Sequence, residues 1–229
     1  MTVVAVAPRG AITLVTIDRP PANAMDIPLL EEVAGALEAL GAAPPGAVVL
    51  VGRPGCFSAG ADLKAVPNYG PEEQRAMVRG INRMAIAAYG LRCPVVAGVT
   101  GHAIAGGLVL ALCADYRVAA SEGRYGLTEV KVGVPYPQAA IAVVRGELAP
   151  GAARSLALTG RLTDAQECVR LGVFDEAVAP DSVLERALDV GAELAALPAD
   201  TYVRTKLGLR GATLEGMPAA AESDPLLAL

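Results

Sequence analysis

Two turns built from small residues carry the clearest chemistry in this sequence. They are Phe57-Ser58-Ala59-Gly60-Ala61-Asp62-Leu63 and Ala103-Ile104-Ala105-Gly106-Gly107. With no bulky side chains, a ligand can approach the backbone closely. Each turn is expected to open a helix, whose first N–H groups have no internal partner and favour negative charge. Brought together, two such turns can aim two N–H groups at one oxygen. Such an oxyanion hole suits a carbonyl that becomes an enolate. Taken alone, the stretch 59–64 reads equally well as a tight strand-to-helix connection. The second turn tips the reading, because two glycines at a helix entrance lower helix stability by about 1 kcal/mol each relative to alanine. Close packing or a ligand must compensate.

Glu129 is the candidate proton carrier. It sits in Gly126-Leu127-Thr128-Glu129-Val130, an otherwise apolar setting. On a surface loop it is an ordinary carboxylate. If buried, it has a raised pKa and can shuttle protons. The other polar residues have plainer readings. The lone His102 is expected to be structural. So is Asp115, paired with Arg117. Tyr136, between Pro135 and Pro137, is a pocket wall or a surface ring. Lys64 and Lys206 are candidate phosphate partners, although lone lysines are usually solvated. Cys56, Cys93, Cys113 and Cys168 form no C-x-x-C pair and read as buried reduced thiols, and no metal cluster is expected.

The elements that must position these groups alternate between strand and helix. Strands are expected at 3–6 and 12–17, then a helix capped by Asp26 with Leu29, Leu30, Val33, Leu37 and Leu40 on its apolar stripe. A loop at 41–46 leads to a buried strand at 47–51. A helix at 72–89 follows, with Met77, Ile81, Met84 and Ile86 as core candidates. Then come a strand at 94–99, the second turn with its helix, and a strand at 116–119. This loose repeat predicts an α/β fold of stacked β-β-α units over residues 1–149. From 150 to 229 the pattern is helical, at 151–158, 164–170, 182–197 and 199–209. The tail 211–229 is expected to be loosely ordered.

With 229 residues, 53% of them hydrophobic, the chain suits one domain with an appendage. A net charge of −5 and no Lys/Arg run argue against nucleic-acid binding. The longest apolar stretch, 103–114, is too short to span a bilayer. No basic-then-apolar leader opens the sequence. A cytoplasmic protein without membrane association is expected.

Taken together, these residues resemble the crotonase, or enoyl-CoA hydratase/isomerase, superfamily. The resemblance runs from about Val3 to Lys206. It is carried by Asp18-Arg19-Pro20, Asn23-Ala24-Met25, the 57–64 turn, Pro94-Val95-Val96-Ala97, the turn at 101–107, Asp115-Tyr116-Arg117 and the 126–133 segment. It implies a ClpP-like spiral of β-β-α units with a C-terminal helical region that drives trimerisation, with trimers often pairing into hexamers. The implied ligand is an acyl-CoA thioester, with CoA as part of the substrate and no separate cofactor. Ala61 and Gly106 would bind the thioester oxygen. Ala22, Ala59, Asp62, Leu63 and Lys64 would lie along CoA, and Gly107, Val109 and Tyr136 would border the substrate.

Departures from the family pattern select among reactions. Hydratases of the family carry two glutamates. One matches Glu129; the other position is Val109 here. A single carboxylate suffices to shift a 3-enoyl double bond to the 2-position, so enoyl-CoA isomerisation is the expected reaction. Pro137 stands where dienoyl-CoA isomerases carry an aspartate. Gly133-Val134-Pro135-Tyr136 resembles a turn of methylmalonyl-CoA decarboxylases, which lack the glutamate matched by Glu129. Enoyl-CoA hydration is the alternative, followed by acyl-CoA decarboxylation or a non-catalytic acyl-CoA binder.

Overall fold

A computed structural model describes residues 2–228. The chain opens with a hairpin, β1 (Val4–Arg9) and β2 (Ile12–Ile17), followed by α1 (Ile27–Ala42). Asp26 caps α1 by accepting the Leu29 N–H at 3.0 Å. Then come β3 (Ala47–Val51), β4 (Gly55–Ser58), α2 (Pro71–Tyr89), β5 (Val95–Val99), β6 (Gly101–Ile104), α3 (Gly106–Leu112), β7 (Tyr116–Ala120) and β8 (Tyr125–Gly126). The remainder is α4 (Gln138–Glu147), α5 (Pro150–Ala153), α6 (Ala165–Arg170), β9 (Glu176–Val178), α7 (Val183–Ala195) and α8 (Ala199–Glu222).

The expected β-β-α units are present, and their topology has a consistent logic. A six-stranded sheet has the order β1-β2-β3-β5-β7-β9, and a three-stranded sheet has the order β4-β6-β8. The first strand of each unit (β3, β5, β7) joins the large sheet. The second (β4, β6, β8) joins the small one. Apart from the β1–β2 hairpin, neighbouring strands within the two sheets pair in parallel. β3 and β5 are apolar throughout and buried throughout, as parallel strands covered on both faces must be. Helices α1 and α2 cover one side with Leu29, Leu30, Leu37, Met77 and Met84 in the main core. Helix α7 covers the other, placing Val183, Ala187 and Val190 against Val49 and Val96. Ile81 and Ile86 pack at the core's edge.

Several expectations are corrected. The 57–63 turn does not open a helix; a short 3-10 turn at Val66–Asn68 follows it, and α2 begins only at Pro71. Helix α1 runs to Ala42, into the expected loop. Helix α4 has no counterpart in the sequence reading, because Ala139–Val144 is almost continuously apolar and shows no helical period. The tail is not loose. Helix α8 continues past Gly211 to Glu222, and a 3-10 turn spans Pro225–Ala228. Its glycines each cost about 1 kcal/mol of propensity, but packing outweighs them. Met217 is buried in the main core, and Lys206 and Arg210 reach inward to Asp115 at 2.8 and 3.0 Å.

Those contacts also correct two side-chain expectations. Asp115 pairs with α8, not with Arg117, whose guanidinium bonds Glu147 instead. Lys206 is buried and donates to Asp115 and to the Cys93 carbonyl, so it is not placed to meet a phosphate. His102 has a structural bond, its ring nitrogen accepting the Arg124 N–H at 2.9 Å. The four cysteines are free and buried. No helix among the described residues is long and apolar enough to cross a membrane.

Candidate active site

The small sheet delivers the site. β4 and β6 run in parallel with Ser58 beside Ala103, and β6 and β8 with Ile104 beside Gly126. All three strands therefore end at one edge. The residues that follow them are the Ala59–Ala61 turn, the Ala105-Gly106 entrance and the Thr128-Glu129 turn. Three groups far apart in sequence arrive together because their strands are neighbours in register.

The first turn is held so that one amide is left over. Met25 forms a parallel bridge with Ala61: its N–H donates to the Gly60 carbonyl at 2.7 Å, and its carbonyl accepts the Asp62 N–H at 2.8 Å. In this pattern the flanking groups bond and the Ala61 N–H does not. Gly60, at φ +77°, sets the turn, and Ser58 steadies it by accepting the Gly60 N–H at 3.2 Å while donating to the Asn23 carbonyl at 2.7 Å. Asn23 is fully buried, and its amide donates to the carbonyls of Ile17 and Phe57.

The second turn makes a matching amide. Ala105 has φ 52° and ψ −126°, a conformation normally left to glycine and costing about 1–3 kcal/mol. Its N–H donates to the Gly126 carbonyl at 2.8 Å. The chain then enters α3 at Gly106, whose N–H lies in the first helical turn and so lacks an intrahelical acceptor. Among the described residues neither the Ala61 nor the Gly106 N–H donates within the chain. The two turns touch: a methyl group on Gly60 would lie 3.4 Å from the Gly106 nitrogen. Gly107 is pressed against Ser58, where a methyl group would meet the Ser58 oxygen at 2.4 Å. Close packing thus accounts for the Gly-Gly pair.

Glu129 opens a 3-10 turn at Glu129–Val132, three residues beyond the carbonyl that holds Ala105. It is 8% exposed, and one of its carboxyl oxygens has no hydrogen-bond partner. The buried Tyr136 hydroxyl is likewise unpartnered. Burial raises the Glu129 pKa, and the neighbouring Tyr136 hydroxyl partly offsets that shift. Burial, and then the charge of Glu129, push the tyrosine well above its usual range, so its hydroxyl stays protonated. A buried carboxyl with a raised pKa has the chemistry to carry a proton out of contact with water.

The remaining predicted residues fall into two groups. Ala22 and Ala59 are half-buried and bonded to each other, the Ala59 N–H donating to the Ala22 carbonyl at 3.0 Å. Leu63 and Lys64 are exposed on the outer side of the turn. Asp62 is engaged within the chain. Its carboxylate accepts the Lys64 N–H at 3.0 Å and pairs with Arg19 at 3.2 Å, contacts that hold its pKa below the usual range. Arg19 also pairs with Asp26 at 2.6 Å, tying the first turn to the cap of α1. Val109 lies fully buried in α3, so its position supplies no second carboxylate. Sequence reasoning missed Ser58 as a support and missed Asn82 and Asp224 altogether. Only the local turn signal of Ser58 was available to find any of them. Among the described residues no group of three His, Cys, Asp or Glu comes together to hold a metal.

Comparison with known proteins agrees with this architecture. The family model for enoyl-CoA hydratase/isomerase matches residues 8–223. A probable enoyl-CoA hydratase, EchA17, of Mycobacterium tuberculosis is 34% identical over 179 residues, 78% of this chain and 69% of that protein. A probable enoyl-CoA hydratase of Rhizobium meliloti is 34% identical over 197 residues, covering 83% and 75%. Among solved structures, an enoyl-CoA isomerase of M. tuberculosis superposes with a TM-score of 0.89 at 28% identity, covering 96% of each chain. That same protein is described elsewhere as a probable enoyl-CoA hydratase. Fold and site thus define an acyl-CoA enzyme of crotonase type. The chain belongs to the enoyl-CoA hydratase/isomerase family.

Proposed function

We propose that this enzyme moves the double bond of a 3-enoyl-CoA to the 2-position. The observation that supports this reading most is the single buried carboxyl of Glu129, with Val109 at the family's other glutamate position. The thioester oxygen accepts the Ala61 and Gly106 N–H groups. Glu129 takes the proton from C2, and the electron pair moves into the enolate held by those amides. The enolate then collapses: its oxygen re-forms the thioester carbonyl, the C1–C2 pair becomes the C2–C3 double bond, and the C3–C4 pair takes the proton from Glu129 at C4. No water enters the balance. The raised pKa of Glu129 suits it to hold the proton between the steps, and the Tyr136 hydroxyl donates to its charged form. Ala22, Ala59, Asp62, Leu63 and Lys64 border CoA, with Asp62 acting through its turn. Gly107, Val109 and Tyr136 border the acyl group. CoA belongs to the substrate, and no further cofactor is needed. The chain works as a homotrimer or a pair of trimers.

Hydration is the second reading, favoured by the descriptions of the sequence relatives. Ultraviolet absorbance separates the two. With a trans-3-enoyl-CoA, conjugated thioester absorbance rises if the enzyme isomerises. With crotonyl-CoA, absorbance falls if it hydrates. A fall without a rise overturns the isomerase reading.

A further inference from the structure

The C-terminal segment contributes Asp224 to a buried polar network. Asp224 is 3% exposed. One of its carboxylate oxygens accepts the Asn82 amide at 2.9 Å and the Gln138 N–H at 2.8 Å. The other accepts the Leu226 N–H at 3.0 Å, which turns the chain back on itself. Asn82, 2% exposed on α2, returns its carbonyl to the Ala139 N–H at 2.8 Å. The two side chains therefore satisfy the first two N–H groups of α4, which Pro137 at the cap position leaves without a side-chain partner.

Those N–H groups directly follow Tyr136-Pro137. Proline at 137 fixes the backbone between the tyrosine and the helix, so pinning Gln138 and Ala139 also fixes where the Tyr136 ring stands. The same segment is tied to Glu129: the Val134 N–H donates to the Glu129 carbonyl at 3.1 Å, and the Tyr136 hydroxyl and one Glu129 carboxyl oxygen are both buried polar atoms with no hydrogen-bond partner. From this chain of contacts we infer that Asp224 is a positioning residue of the active site: through Asn82 and the start of α4 it fixes the Tyr136 ring in the buried surroundings of Glu129. The inference rests on Glu129 being the proton carrier. It assigns a role to a tail that touches neither the oxyanion turns nor Glu129. A helix cap alone would stabilise α4; this one also sets the environment of a carboxyl on another segment.

The test uses full-length Asp224→Ala and Asp224→Asn beside the wild type, with Glu129→Gln to assign signals. The first readout is carboxyl carbon-13 NMR titration of Glu129, which needs no substrate. The second is kcat and KM for a trans-3-enoyl-CoA across pH. In Asp224→Ala the Glu129 titration should move upward by about half a pH unit or more, as the Tyr136 hydroxyl that favours the charged carboxylate is lost. Its kcat should fall by about tenfold or more, with KM within about twofold, since CoA is bound elsewhere. Asp224→Asn keeps one carbonyl oxygen for the Gln138 N–H and should lie between wild type and Asp224→Ala in both readouts. A folded Asp224→Ala with an unchanged Glu129 titration overturns the inference, even if its melting temperature drops. If Asp224→Ala fails to fold, an unchanged titration in Asp224→Asn overturns it equally. A shifted titration in a protein whose wild type does not isomerise supports the positioning role and sinks the isomerase reading alone.

Discussion

Gly60 and Ala105 are in direct contact: a methyl group added to Gly60 would lie 2.8 Å from the Ala105 Cβ and 2.7 Å from the Ile104 carbonyl oxygen. Two residues with positive φ, +77° and +52°, thus press the two small-residue turns together. Gly60→Ala should therefore wedge them apart. The expected result is a loss of about 1–3 kcal/mol in stability together with a disproportionate fall in kcat, by about 100-fold. Denaturant unfolding and steady-state kinetics on one preparation check both. Unchanged kcat would show that the spacing of the turns does not matter.

Replacing Glu129 with glutamine removes the carboxyl proposed to carry the proton and little else. The rate should fall by about 100- to 10,000-fold while binding of a non-reactive acyl-CoA persists. Isothermal titration beside the absorbance assay separates the two effects. Full activity in Glu129→Gln would remove Glu129 from the mechanism.

The same substitution has a consequence for stability. Burial raises the folded-state pKa of Glu129 above its unfolded value. Between those two values the folded state binds more protons than the unfolded one. Stability from this group is therefore fully present below the unfolded pKa and is lost as pH rises through the folded pKa. Glu129→Gln lacks that slope. Its melting temperature should approach that of the wild type at about pH 4 and exceed it at about pH 8. The acid limb of kcat/KM should likewise lie above the usual carboxylate range, because the base must be ionised to act.

Asp115 anchors the C-terminal helix. It receives Lys206 at 2.8 Å and Arg210 at 3.0 Å, and the Arg210 guanidinium also lies 4.2 Å from the centre of the Tyr89 ring. Burial lowers the pKa of Lys206, and Asp115 partly restores it. Arg210 keeps a second carboxylate in Glu147, at 3.0 Å, but Asp115→Ala leaves the buried Lys206 ammonium without one and should cost about 3–5 kcal/mol in urea unfolding. Lys206→Met removes a charge and keeps the volume, so it should cost much less. Equal losses would mean that the network contributes packing rather than charge balance.

These residues also mark what the sequence could reveal. The strands β3 and β5, the α1 stripe and both glycine turns were legible because each signal is local: a continuous apolar run, a 3.6-residue period, or small residues that only a turn requires. Glu129 stood out as a charge in an apolar stretch. The partners of Asp115 were not legible, since Arg117 is near in sequence whereas Lys206 and Arg210 are near only after α8 folds back. Asp224 reads as one more polar residue in a tail, and nothing near it in sequence announces Asn82. The continuation of α8 past Gly211 was hidden for the same reason. Its support comes from tertiary contacts that outweigh glycine's propensity.

Val109 offers the most direct test of how one carboxylate selects a reaction. It lies fully buried on α3, three residues past Gly106, at the position that the resemblance to the family's hydratases assigns to their other glutamate. Hydration needs one group to orient and deprotonate water and a proton source for carbon. Isomerisation needs one group that gives back what it takes. Val109→Glu supplies the missing carboxylate, at the cost of burying a charge that must raise its pKa or admit water. The variant should hydrate crotonyl-CoA at least about tenfold faster than the wild type, and its stability should fall by about 1–3 kcal/mol. Val109→Gln, similar in size but unable to ionise, should lose the stability without gaining the hydration. If the wild type already hydrates crotonyl-CoA efficiently and Val109→Glu adds nothing, then an ordered water served by Glu129 alone performs the chemistry, and the valine does not determine the reaction.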